Sequence, residues 1–93
     1  MRETKAEYLR IEKLHPFDGH PFKVVDNEEM DQLVESIRTQ GVLNPVVVRL
    51  IENGEYEVIS GHRRLHACKK AELETVPALV MDMDRDAAAI ALV

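Results

Sequence analysis

The chain has one cysteine, Cys68, and that scarcity removes two classes of chemistry at once. An internal disulfide needs a second thiol, and a cysteine-built zinc site needs several. Long apolar runs are missing too: none approaches the roughly 20 residues that a membrane-spanning helix requires. The start, Met1-Arg2-Glu3-Thr4-Lys5, leads into no apolar core of the kind a secretion signal carries. Positive charge is also in short supply. Twelve Lys and Arg face seventeen Asp and Glu among 93 residues, for a net charge of −5 at pH 7. A domain that held DNA through a broad basic surface would be basic overall, so that mode of binding is disfavoured. No internal repeat or low-complexity segment is visible. What remains is 45% hydrophobic and 31% charged, the make-up of one small globular domain with a modest core. Such a domain is expected in the cytoplasm, with no membrane partner.

The order of elements points to an α+β fold, a small mixed sheet with short helices. Tyr8 to Leu14 alternates imperfectly and reads as a short strand. His15-Pro16-Phe17-Asp18-Gly19-His20-Pro21-Phe22 holds two prolines and a glycine, so an ordered loop is expected there. A helix is predicted from Asp26 to Gln40, with Asp26 as its cap and Glu29 in a capping-box relation. Met30, Leu33, Val34 and Ile37 fall at i, i+3, i+4 and i+7, one apolar stripe, and Gly41 suits a left-handed residue at the helix end. Pro45 to Ile51 is β-branched and nearly unbroken, as a central strand is. Asn53-Gly54 then supplies the positive φ angles of a tight hairpin, with Tyr56 to Ile59 as the returning strand. Arg63 to Ala71 reads as a short amphipathic helix, Val76 to Met81 as a third strand, and Asp84 to Val93 as a helix with no stop signal. That exposed Ala-Leu-Val close suggests a fragment of a longer protein. Residues 1–13 are expected to form an arm and first strand, and residues 14–93 a domain cut within its last helix.

The informative stretch is Ile59-Ser60-Gly61-His62-Arg63-Arg64, at the turn from a strand end into a helix start. Such a turn presents unpaired backbone N–H groups and the positive end of a helix dipole, where an anion can sit. Gly61 has no Cβ to keep a phosphate away. Arg63 and Arg64 diverge by about 100° on a helix, so they would grip different phosphates. His62 can exchange a proton near neutral pH. The plainer reading, a turn glycine followed by two solvated arginines, stands beside this one. Gly41-Val42-Leu43-Asn44-Pro45 raises a similar pair of readings. Asn44 and its neighbours could face a nucleobase edge, or the segment is merely a helix stop and a strand start. Elsewhere the structural reading prevails. His62 and His66 are four apart but have no third ligand, so no metal site is expected. Cys68 falls on the apolar face of its helix, as a buried hydrophobe does. Asp82, Asp84 and Asp86 serve to end a strand and start a helix.

Taken in order, these motifs are more specific than any one of them. A helix ending in Ser36-Ile37-Arg38-Thr39-Gln40-Gly41 leads to Asn44-Pro45-Val46-Val47-Val48-Arg49, then Tyr56 to Arg64 with Ala67, then Val76-Pro77-Ala78. This arrangement, from about Leu14 to Val93, resembles the N-terminal domain of the ParB family of chromosome and plasmid partition proteins. That fold is shared with sulfiredoxin and was once labelled a ParB-like nuclease. The resemblance implies that the family motif Gly-Glu-Arg-Arg-x-x-Ala, which binds the triphosphate of CTP, maps onto Gly61, His62, Arg63, Arg64 and Ala67. It implies that Gly41, Val42, Leu43, Asn44 and Pro45 line the cytidine side, with Mg²⁺ as a companion of the nucleotide. His62 stands where the family has Glu, and Phe22 where many members carry Arg, with Lys23 the nearest basic residue. A second phosphate motif, a helix-turn-helix reading DNA, a homodimer that CTP closes into a clamp, and a partition ATPase as partner are further implications for the full-length protein.

An enzymatic role remains open on this resemblance. CTP hydrolysis by the full-length protein is favoured over nuclease action, and no catalytic residue is assigned. Sulfiredoxin carries its nucleophile in Gly-Cys-His-Arg, but Ser60-Gly61 occupies that place here. A free-amino-acid kinase of the same fold would need a catalytic Glu that has no evident counterpart.

Overall fold

The computed structural model describes residues 4–17, 25–42, 44–82 and 84. The expected loop between Asp18 and Phe22, with Lys23 beyond it, therefore lies outside the described residues. So do Leu43, Asp86 and the final helix expected through Val93.

Five strands form one sheet in the order β1-β5-β3-β4-β2, and two helices cover one face. β1 is Thr4–Arg10, β2 Leu14–Pro16, β3 Val46–Leu50, β4 Tyr56–Ser60 and β5 Thr75–Met81. α1 spans Glu28–Gln40 and α2 His62–Lys70. The sheet is mixed, as expected. β1 with β5 and β3 with β4 are antiparallel, while β2 with β4 and β3 with β5 are parallel. The β-branched run Val46-Val47-Val48 does form the central strand.

The strand expected from Tyr8 to Leu14 is corrected to two strands at opposite edges, joined by a 3₁₀ turn at Ile11–Lys13. Three residues of 3₁₀ helix rise only about 6 Å. Across a flat sheet, strands at these two edges would lie about 19 Å apart. The sheet therefore curls until its edges converge at Ile11, which is buried, and Ile11 N–H donates to Glu74 O at 2.9 Å. The loop expected from His15 onward begins later than predicted. His15 and Pro16 continue β2, paired with Glu57 and Val58. An edge strand tolerates Pro16 because proline's missing N–H can face away from the ladder.

Period-2 and period-3.6 patterning meet in the core. Val46, Val48, Val58 and Val76 point to the helices, with exposures of 0%. Met30, Val34 and Ile37 of α1 and Leu65, Ala67 and Cys68 of α2 pack down on them. Each large aliphatic group so buried contributes about 1.5–3 kcal/mol. On the other face, Phe17 and Ile59 bury together against Val47. The hairpin turns at Asn53 (φ 62°) and Gly54 (φ 74°), as its sequence predicts.

Two helix-end details differ from expectation. The N-cap of α1 is Asn27, whose Oδ1 accepts from Met30 N–H at 2.9 Å, not Asp26. Asp26 is drawn away by α2, as described below. Gly41 has the expected positive φ of 79°, but its ψ of −175° sends the chain out extended rather than closing a left-handed turn.

Candidate functional site

The site is built where the end of β4, the start of α2 and the approach to β3 meet. Gly61 makes the bend between strand and helix at φ 94° and ψ 29°, a conformation L side chains rarely hold. A Cβ there would sit 3.0 Å from both Val46 Cγ1 and Arg64 Nη1, and 3.3 Å from Val46 Cα. Packing against β3 thus explains this glycine independently of any ligand. Leu65 N–H donates to Gly61 O at 2.8 Å, which starts the helical ladder. An α-helix offers its first-turn N–H groups no carbonyl within its own ladder, and at α2 no side chain of the cap residue Gly61 is available to take them.

The two arginines diverge as their spacing requires. Arg64 turns back toward β3, and its Nη1 donates to the Pro45 carbonyl at 3.1 Å. It lines a small pocket of about 130 Å³ with Leu33, Ser36, Gly41, Val42 and Asn44. Arg63 turns outward, with its side chain 55% exposed and Nη2 4.0 Å from Glu29 Oε2. His62 turns a third way: its Nε2 accepts from the Phe17 backbone N–H at 3.4 Å, which ties the helix start to the end of β2. An Nε2 that accepts carries no proton in this arrangement.

Of the residues singled out from sequence, Gly41, Val42, Asn44 and Arg64 come together around the pocket, with Pro45 and Gly61 linked through Arg64. Arg63 and His62 flank this group and face elsewhere. Sequence reasoning missed Leu33 and Ser36, which share an α1 face with Ile37. It also missed Phe17, whose part is played by its backbone and leaves no side-chain signature.

Sequence gave no sign of the ionic contacts between α1 and α2. Asp26 Oδ1 lies 2.8 Å from His66 Nε2 and 3.1 Å from Lys70 Nζ. Lys70 also reaches Asp31 at 4.0 Å, and Arg38 donates to the Lys70 carbonyl at 3.2 Å. The His66 hydrogen bond, followed by that of Lys70, holds the Asp26 carboxyl below its ordinary value. Cys68 is buried at 0% exposure, and burial pushes its thiol pKa up, against a smaller opposing pull from Arg64. Among the described residues, no group of three or more His, Cys, Asp or Glu is placed to hold a metal ion. None of the described helices is long and apolar enough to cross a membrane.

Ligand pockets usually hold about 300–1,000 Å³, so the 130 Å³ here is too small to enclose a ligand as large as a nucleoside triphosphate.

The chain matches the ParB N-terminal domain family over residues 1–93. It is 42% identical over 92 residues to a probable chromosome-partitioning protein ParB of Vibrio cholerae, covering 98% of this chain and 31% of that protein. It is 38% identical over 90 residues to a nucleoid occlusion protein of Listeria monocytogenes, covering 96% and 32%. The chain thus spans about a third of the length of these curated relatives. Among solved structures it resembles C-terminally truncated ParB from Caulobacter crescentus complexed with CTP-gamma-S, at TM-score 0.82 and 34% identity over 94% of this chain and 50% of that one. The same protein complexed to the centromeric parS site matches at TM-score 0.77 and 30% identity, over 91% and 43%. Sulfiredoxin from Arabidopsis thaliana shares the fold at TM-score 0.77 and 24% identity, over 96% and 98%. Family match, sequence relatives and mixed-sheet architecture agree: this chain belongs to the ParB N-terminal domain family.

Proposed function

We propose that this domain binds CTP across the junction of β4 and α2, within a protein that acts in DNA partition or nucleoid occlusion. The observation that carries this reading is the bond from Arg64 to Pro45. It holds a guanidinium, a helix start and the Gly41 to Pro45 segment in one place. In this reading the first-turn N–H groups of α2, with Arg64 and Arg63, hold the phosphates, and Gly41, Val42, Leu43, Asn44 and Pro45 face the cytidine. A charge-assisted hydrogen bond contributes about 1.5–3 kcal/mol. A helix dipole contributes about 0.3–1 kcal/mol. The arginines therefore dominate phosphate affinity.

The CTP-gamma-S complex of the Caulobacter relative supports the choice of nucleotide. Mg²⁺, if it takes part, would come with the phosphates and neutralise their charge. The net charge of −5 favours a reading in which segments outside this domain contact DNA, and the parS complex of the same relative supports DNA as the partner of the whole protein. Two protomers closing on DNA when CTP binds, reopening on hydrolysis, and docking of a partition ATPase belong to the same reading. His62, where family members carry Glu, holds Phe17 and is no ready stand-in for a carboxylate base.

The test is calorimetric titration of the intact protein with CTP and with ATP. Binding of CTP with little or no heat from ATP is the expected result. Equal affinities for the two would overturn the assignment of the Gly41 to Pro45 segment to the base.

A further inference from the structure

The basic residues Arg63, His66 and Lys70 fall at i, i+3 and i+7 on α2, one face of that helix. Each meets an acid from the start of α1. Arg63 faces Glu29, His66 faces Asp26, and Lys70 faces Asp26 and Asp31. Arg64, on another face, pairs with no carboxylate among the described residues and bonds only the neutral Pro45 carbonyl. The basic side chains of α2 are therefore divided: Arg63, His66 and Lys70 face carboxylates, while Arg64 and Lys69 pair with none among the described residues.

We propose that Glu29 is an internal competitor for the phosphate-binding charge of Arg63 and so sets the affinity of this site for nucleotide. This rests on the CTP reading above. Glu29 Oε2 and Arg63 Nη2 are 4.0 Å apart, and their side chains are 79% and 55% exposed. An exposed pair at that distance is weak and easily exchanged, so a triphosphate with several charges displaces it. The carboxylate still costs the incoming anion twice, by occupying Arg63 and by repelling the phosphates. Glu29 sits in the first turn of α1, where a negative charge also favours the positive helix end, so its position has a structural benefit of its own.

The experiment measures affinities of the intact protein for CTP and for inorganic triphosphate, in wild type, Glu29→Gln, Glu28→Gln, Arg63→Ala and the Glu29→Gln/Arg63→Ala double variant. Glu29 is largely exposed, so its variant keeps the fold, which circular dichroism verifies. Glu29→Gln is expected to tighten both ligands about two- to fivefold, the scale of one exposed pair. Glu28→Gln should change affinity less, and the gain should vanish in the Arg63→Ala background. If Arg63→Ala weakens binding but Glu29→Gln does not tighten it, the competitor role is overturned and the CTP reading stands. Equal gains from Glu28→Gln and Glu29→Gln would overturn it too, reducing the effect to general charge. Binding that Arg63→Ala leaves unchanged in either background would instead defeat the part of Arg63 in the CTP reading on which the inference rests.

Discussion

Arg64 donates from Nη1 to the backbone carbonyl of Pro45 at 3.1 Å, joining residues 19 positions apart in sequence. The bond ties the first turn of α2 to the segment that feeds the central strand. Beneath it lies Gly61, whose missing Cβ lets the guanidinium and Val46 close in. The proposed phosphate grip and the proposed base edge are thereby one packed unit.

Gly61→Ala should destabilise the fold by about 1–3 kcal/mol, through left-handed backbone strain and overpacking against Val46. Urea unfolding measures this as a lowered midpoint at unchanged slope. A midpoint equal to that of wild type would show that the turn relaxes freely, which the 3.3 Å approach to Val46 Cα argues against.

Acid should loosen the contact between the helices. The Asp26 carboxyl is held below its ordinary value of 3.8 by hydrogen bonds from His66 and then Lys70. A depressed carboxyl pKa stabilises the folded state above the unfolded value, and the contribution is lost as pH falls through the folded one. Wild type should therefore exceed Asp26→Asn in stability at pH 6, with the gap shrinking as pH falls below 3.8 and as salt is raised. Thermal melts of both proteins across that range check it. A gap that widens with acid would reverse the assignment.

Cys68 should be inert in the native protein. It is buried in the core and burial raises its pKa, so little thiolate is present or reachable. Iodoacetamide should modify it slowly under native conditions and rapidly in denaturant. Fast native labelling would contradict the core position and reopen thiol chemistry of the sulfiredoxin kind.

Elements set by local patterning were legible in the sequence, and those set by distant partners were not. The stripe Met30, Val34, Ile37, the run Val46 to Val48 and the Asn53-Gly54 turn each carry their own signal, and all are found as read. Asp26 looked like a cap because its neighbourhood allows one. Its carboxylate instead goes to His66 and Lys70, 40 and 44 residues on, and the cap falls to Asn27. Pro16 looked like a strand breaker because nothing local says that β2 is an edge. In the site, Gly61 and the arginines were recognisable as a motif. That Arg64 turns inward, Arg63 toward Glu29 and His62 toward Phe17 depends on where β3, α1 and β2 lie.

The most direct measurement is the CTP affinity of Arg64→Ala in the intact protein, beside Arg64→Lys and with folding verified by circular dichroism. Losing a charge-assisted contact should weaken binding about tenfold or more, and lysine, which keeps the charge but not the fork, should recover only part of it. CTP affinity unchanged in a folded Arg64→Ala protein would contradict the account, because the residue that joins the phosphate and base sides would then have no part in binding.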